Sequence, residues 1–100
     1  MSYSYELRQE AAAEFTNAYV WYEEQQYELG DKFIAAFYRK LDKICQNPYH
    51  YKSTYKKYHE ALTDKFPFLI VYQVIEEERK VIVMAIFHTS RNPKKKFKRK

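Results

Sequence analysis

Two neighbouring apolar segments in the second half of the chain constrain its fold more than any other feature. Residues 68–75 (FLIVYQVI) and 80–88 (KVIVMAIFH) have the length and composition of strands, and only four charged residues separate them. A link this short predicts an antiparallel hairpin. Both segments are apolar at odd and at even positions, so both faces of the resulting sheet need cover from water.

The helical half of the chain can cover only one face of this sheet, so two alternatives remain for the other face. In the first, the chain itself covers it, with the loop of residues 48–58 or the C-terminal tail. In the second, a partner peptide binds there. Because side chains along a strand point alternately to the two faces, a group of apolar residues from both strands lies on this face. We predict that this group is the partner-binding surface. Its members are Leu69, Val71, Ile82, Met84 and Ile86.

Helical periodicity dominates the first half of the chain. Apolar residues recur at helical spacing over residues 9–27 and again over residues 32–46. Gly30 is predicted to end the first helix, and Asp31 to cap the second. The two helices therefore form a hairpin.

Short strands complete the prediction. Residues 3–7 alternate like a strand, and residues 58–66 form a weaker candidate. The predicted fold class is α+β: an N-terminal strand, then an α-helical hairpin packed on a mainly antiparallel β-sheet.

Length and charge bound the organisation of the chain. One hundred residues predict a single domain, which we place at residues 1–93. The remaining residues, 94–100 (KKKFKRK), carry six basic side chains and no acid, whereas the rest of the chain has 12 basic and 13 acidic residues. This basic tail predicts a localised anion contact, with a steep salt dependence if the anion is a nucleic acid.

Several classes of protein are disfavoured by the sequence. Cys45 is the only cysteine, so neither an intrachain disulfide nor a cysteine-based zinc site is expected. The N-terminus lacks the apolar region of a signal peptide, and no apolar run is long enough to span a bilayer. We therefore expect a cytoplasmic protein with no membrane contact.

Four stretches of the sequence together resemble a known superfamily. They are WYEEQQYELGDKF (21–33), ICQNPYHY (44–51), ALTDKFPFLIVYQV (61–74) and FHTSRNPKKK (87–96). In their order and spacing they resemble the RelE/ParE superfamily, the toxins of bacterial type II toxin–antitoxin systems. The Asn-Pro and Phe-Pro-aromatic elements resemble the ParE branch, the plasmid stabilisation proteins, more than the RelE branch.

The resemblance carries expectations about partners and activity. It implies a cognate antitoxin that wraps the toxin with an extended segment, and it allows a homodimer or a heterotetramer with that antitoxin. ParE-like members inhibit DNA gyrase, whereas RelE-like members cleave mRNA on the ribosome. Neither branch implies a cofactor or a metal.

The sequence contains some, but not all, of the residues that RNA cleavage requires. Metal-free cleavage through the 2′-hydroxyl needs a base, an acid and cations at one phosphate. The candidates are His88, Arg91, Lys57 and His59. Two departures from the RelE-like pattern count against cleavage, because Glu60 stands where an arginine is usual and no tyrosine follows Arg91.

The sequence therefore leaves three functions open. The first is a toxin that binds a target such as DNA gyrase, the second is a ribosome-dependent endoribonuclease, and the third is an inactive homologue that still binds its antitoxin. Candidate residues for binding nucleic acid or another anion are Lys94, Lys95, Lys96, Lys98, Arg99, Lys100, Lys56 and Lys57. Trp21 lies off the apolar stripe of the first helix, so we expect it to pack against the second helix or to contact a partner.

Overall fold

The computed structural model describes residues 2–53 and 57–89. The predictions for Lys56, for Arg91 and for the basic tail lie outside the described residues. In chain order the elements are β1 (Ser4–Leu7), α1 (Gln9–Gln25), α2 (Leu29–Gln46), β2 (Lys52–Ser53), β3 (His59–Leu62), β4 (Phe68–Ile75), a 3₁₀ turn (Glu76–Glu78) and β5 (Lys80–His88).

The described strands form one sheet in the order β1-β5-β4-β3-β2. β1 runs parallel to β5, and every other neighbouring pair is antiparallel. The α1–α2 hairpin packs on one face of this sheet. The predicted α+β class, with an N-terminal strand and a helical hairpin on a mainly antiparallel sheet, is confirmed.

Aromatic side chains dominate the core between helices and sheet. Phe33 of α2 is fully buried, and its ring centroid lies 5.1 Å from that of Phe68 and 5.4 Å from that of Tyr22. Phe15 and Phe66 complete the cluster at 5.7 and 5.6 Å from Phe33. Tilted and edge-on ring pairs at such distances add to the stabilisation from burial alone. This cluster fixes the helical hairpin against the start of β4.

The junction between the helices differs from the prediction. Gly30 lies inside the first turn of α2 rather than ending α1, and Glu28, in the left-handed region at φ 69°, precedes α2. The carboxylate of Glu23 accepts hydrogen bonds from the backbone N–H groups of Glu28 (3.1 Å) and Gly30 (2.9 Å). Glu23 thus satisfies helix-start donors that the sequence assigned to Asp31.

Close packing explains the glycine at position 30. A Cβ atom there would lie 2.7 Å from Glu23 Oε1 and 2.8 Å from the ring of Tyr19. We expect Gly30→Ala to lower the free energy of unfolding by about 1–2 kcal/mol, because overpacking and a weakened Glu23 cap outweigh the better helix propensity of alanine. Urea unfolding measures this change, with exposed Lys32→Ala as the control in the same turn. An unchanged or raised midpoint for Gly30→Ala would contradict the packing argument.

A β-bulge at Met84 changes the face of the sheet on which the later residues of β5 lie, so the predicted faces are wrong beyond it. Val71 pairs with Ala85 while Tyr72 pairs with Val83, so the register passes over Met84. One inserted residue reverses the alternation beyond it. Ile86, predicted on the partner-binding face, instead lies in the core beneath the helices and is 1% exposed.

The face of the sheet opposite the helices is partly covered. Val71, Ala85 and Phe87 are buried, and Tyr58 of the preceding loop packs against them. Val71, predicted to bind a partner, is therefore covered by the chain itself at this point, and Met84, predicted with it, is also buried. Leu69 and Ile82 remain half-buried.

Within residues 2–53 and 57–89, no helix has both the length and the apolar character required to cross a membrane.

Candidate functional site

His59 is held on the helix-facing side of the sheet, near the edge formed by β2. Its register partner on β4 is Tyr72, and the two rings stack with centroids 5.2 Å apart and planes at 14°. Nδ1 lies 3.1 Å from the carbonyl oxygen of Tyr51, so Nδ1 carries the proton and donates. These contacts fix the ring as part of the packing, and only Nε2 remains for proton transfer.

Tyr72 anchors the loop before β2. Its buried hydroxyl donates to the carbonyl oxygen of Pro48, and burial raises its pKa above the usual tyrosine value. Tyr72 therefore fixes both the Asn47-Pro48 turn and the ring of His59.

His88 lies at the other end of the sheet and lines a groove between α1 and the paired ends of β4 and β5. The groove has a volume of about 550 Å³. We call it the α1 groove; it is lined by Glu14, Asn17, Ala18, Trp21, Phe68, Ile86 and His88. His88 pairs with Phe68 in the sheet, and their rings meet edge to face at 5.3 Å.

Glu14 gives the α1 groove a carboxylate that the sequence reasoning missed. Its Oε1 accepts a hydrogen bond from the backbone N–H of Ile86 at 2.8 Å, which ties α1 to β5 just beyond the bulge. The available signal was an acidic residue between Ala11 and Ala18 on the inward side of an otherwise apolar stripe. A histidine beside a carboxylate can exchange protons, but the carboxylate opposes the approach of a phosphate.

The two candidate histidines are far apart. His59 is opposite Tyr72 and His88 is opposite Phe68, so the two lie four positions apart along β4, or about 13 Å along the strand. They also lie on strands either side of β4. Lys57 is exposed in the turn before β3, near His59 rather than His88. The described residues therefore do not bring the candidates into one catalytic site.

The chain matches the family described as the ParE toxin of the type II toxin–antitoxin system, parDE, over residues 5–93. This chain belongs to the ParE toxin family. It is the toxin component of a type II toxin–antitoxin module, as the four quoted stretches predicted.

Solved structures share the fold at low sequence identity. The chain is similar to a structure described as the chromosomal ParDE system from P. aeruginosa, with a TM-score of 0.74, 15% identity, and coverage of 87% of this chain and 96% of that one. The chain is also similar to a chain of the intact E. coli RelBE toxin–antitoxin complex, with a TM-score of 0.68 and 19% identity. That match covers 90% of this chain and 100% of the other. The isolated E. coli RelE toxin is similar with a TM-score of 0.67 and 18% identity, and the match covers 94% of this chain and 92% of that one. No curated protein matches the sequence.

Glu60 of the toxin lies on the other face of the sheet from His59. It pairs with Val71 and Lys52, and so belongs to the face opposite the helices, whereas His59 faces the helices. Its Oε2 atom is buried. The carboxylate that shares a groove with a candidate histidine is therefore Glu14, which lines the α1 groove together with His88.

A second cluster in the toxin joins distant parts of the chain. Glu76 Oε1 accepts hydrogen bonds from the hydroxyls of Tyr49 (2.6 Å) and Tyr3 (2.8 Å). The guanidinium of Arg79 lies 4.2 Å from the centre of the Tyr3 ring and 3.5 Å from Glu76 Oε2. The cluster ties the N-terminal segment and the loop after α2 to the β4–β5 turn. The hydrogen bonds from Tyr49 and then Tyr3 lower the pKa of Glu76.

Tyr49 provides a test of this cluster at high pH. Its hydrogen bond to Glu76 is the largest cause that raises its pKa to about 12, from 10.0. The raised pKa means that the bond stabilises the fold below about pH 10, and that this contribution is lost as pH rises to about 12. We expect the stability difference between wild type and Tyr49→Phe to shrink over that interval in urea unfolding. Glu76→Gln should move the tyrosinate titration of Tyr49, followed by ultraviolet absorbance, back toward its usual range. A difference that stays constant from pH 9 to 12 would contradict the assignment.

Proposed function

We propose that this toxin acts by binding a target such as DNA gyrase, and that it does not cleave RNA. One observation carries the proposal: the described acid–base candidates His59 and His88 are separated by about 13 Å of β4. An acid and a base that act on one phosphodiester must each lie within hydrogen-bond reach of it. Membership of the ParE family supports the same choice, because ParE-like proteins inhibit gyrase.

The surroundings of each histidine also argue against cleavage. His59 stacks on Tyr72 and donates through Nδ1, so it is held as part of the core edge. His88 shares its groove with Glu14, which would repel a phosphate group. We propose the cytoplasm as the place where the toxin acts, because both candidate targets, gyrase and the ribosome, are found there.

The test compares two reactions with the same preparation of toxin. We expect purified toxin to inhibit supercoiling of relaxed plasmid by DNA gyrase, and to leave mRNA intact on programmed ribosomes. His59→Ala and His88→Ala are included in both assays. Codon-positioned cleavage that either substitution abolishes would overturn the proposal in favour of the endoribonuclease. No effect in either assay, with antitoxin binding retained, would favour the inactive homologue.

A cognate antitoxin is the proposed partner. Two of the similar structures are described as a ParDE system and an intact RelBE toxin–antitoxin complex. On this toxin we propose that an extended antitoxin segment binds the face opposite the helices. Leu62 there is 53% exposed, and its sheet neighbour Leu69 is half-buried, as is Ile82 nearer the parallel edge. The buried Ile86 is no longer part of this proposed surface.

Co-purification tests the antitoxin surface. The antitoxin is sought as a small reading frame adjacent to the toxin gene, and is produced together with tagged toxin. We expect Leu62→Asp and Leu69→Asp to reduce co-purification at least tenfold, because each puts a charge into an apolar contact. Tyr27→Asp is the control, since Tyr27 is 82% exposed at the helix junction. Equal recovery of antitoxin with all three variants would exclude this face. The mass of the intact complex distinguishes a heterotetramer from smaller assemblies.

A further inference from the structure

The α1 groove combines an apolar floor with an acidic wall. Phe68 and Ile86 form the floor, and Trp21, which is 53% exposed, forms one rim. Glu14 supplies a carboxylate within the groove. A ligand that fits such a groove carries positive charge together with at least one apolar side chain.

The helix that forms the wall has charge of one sign. Residues Gln9–Gln25 of α1 include Glu10, Glu14, Glu23 and Glu24, and no lysine or arginine. Such a helix attracts a cationic segment, and the attraction weakens as salt rises.

The complementary segment is in the same chain. Residues 90–100 (SRNPKKKFKRK) contain seven basic residues, no acid, and the apolar Phe97. They begin directly after Thr89, whose backbone N–H donates to Pro67 at 2.7 Å, next to His88 at the end of the groove. Eleven residues reach up to about 36 Å when extended, which exceeds the roughly 25 Å length of α1.

We propose that residues 90–100 bind the α1 groove of their own chain, and that polyanions compete for the same segment. The tail then has two alternative contacts, with the acidic helix or with a polyanion such as nucleic acid. Occupation of the groove withholds the basic residues from non-specific polyanions. A target with enough negative charge releases the tail and uncovers Trp21.

Trp21 is the only tryptophan, so its fluorescence reports on the groove directly. The experiment measures acrylamide quenching of the full-length protein at low salt. Polyphosphate is the competing polyanion, and circular dichroism verifies that each variant is folded. We expect polyphosphate, or high salt, to raise the quenching constant by up to about twofold, since 53% of the side chain is already exposed.

Charge variants identify the contact. The triple change Lys94→Glu, Lys95→Glu, Lys96→Glu should raise quenching to the polyphosphate level, and the triple change of these residues to arginine should not. Glu14→Gln should raise it as well, because glutamine can still accept the bond from Ile86 but carries no charge. Glu24→Gln removes the same charge from α1 outside the groove lining, and should have the smaller effect.

The result that overturns the proposal is equal quenching in wild type and the lysine-to-glutamate variant, with no response to polyphosphate. Quenching that responds equally to Glu14→Gln and Glu24→Gln would also overturn it, since that reports a general charge effect rather than a groove. Neither readout depends on gyrase or ribosomes, so the inference and the proposed function can fail separately.

Discussion

Phe33→Ala is expected to lower the free energy of unfolding by about 3–5 kcal/mol. Phe33 is 0% exposed, and the rings around it come from α1, from the segment before β4 and from β4 itself. These elements cannot all close on the space that the ring leaves, so the loss includes a cavity as well as the buried apolar area. A domain of this size has about 5–15 kcal/mol of stability in total.

Urea unfolding at neutral pH measures the effect of Phe33→Ala. Tyr27→Ala is the matched control, because it removes an aromatic ring that is 82% exposed, and its effect should stay within about 0.5 kcal/mol. Phe33→Leu keeps most of the volume and should cost less than Phe33→Ala. A loss below about 1 kcal/mol for Phe33→Ala would show that the aromatic cluster does not hold the hairpin on the sheet.

Ile86→Asp is expected to prevent folding, whereas Ile82→Asp is expected to leave a folded protein. The two positions have the same parity along β5, so strict alternation would place them on one face. The bulge at Met84 puts Ile86 in the core at 1% exposure and leaves Ile82 half-buried on the opposite face. An unpaired carboxylate in the core costs several kcal/mol, whereas at Ile82 water can still reach it.

Circular dichroism and size-exclusion chromatography distinguish these outcomes. Ile86→Val is the conservative control and should remain folded with a loss of about 0.5–1.5 kcal/mol. If both aspartate variants fold, or if only the Ile82 variant fails, then the register of β5 is not the one described here.

The large elements were predictable because their signals are local. The two apolar runs became β4 and β5, and helical periodicity placed α1 and α2. The bulge was not predictable, because β5 is apolar at odd and even positions and gives no sign of a reversed face. Only pairing with β4 decides which side of the sheet Ile86 occupies.

The helix junction shows a different limit. The sequence correctly marked the neighbourhood of Gly30 as a break between helices. The assignment of Gly30 as a helix end was wrong, because its role depends on Tyr19 and Glu23, which pack against it from the preceding helix. Contacts of this kind need the hairpin angle, which no spacing rule supplies.

The candidate site was predictable by residue type but not by arrangement. The sequence singled out His59 and His88 as candidates because they are titratable, yet their separation follows from the registers of β3 and β5 against β4. Glu76 and Tyr3 lie 73 residues apart in sequence and meet only because β1 pairs with β5.

Gyrase supercoiling in the presence of purified toxin is the measurement that tests the central claim most directly. The account predicts that supercoiling of relaxed plasmid falls with increasing toxin, that His59→Ala and His88→Ala inhibit as wild type does, and that added antitoxin restores activity. Undiminished supercoiling at every toxin concentration, together with ribosome-dependent mRNA cleavage that His88→Ala removes, would contradict it.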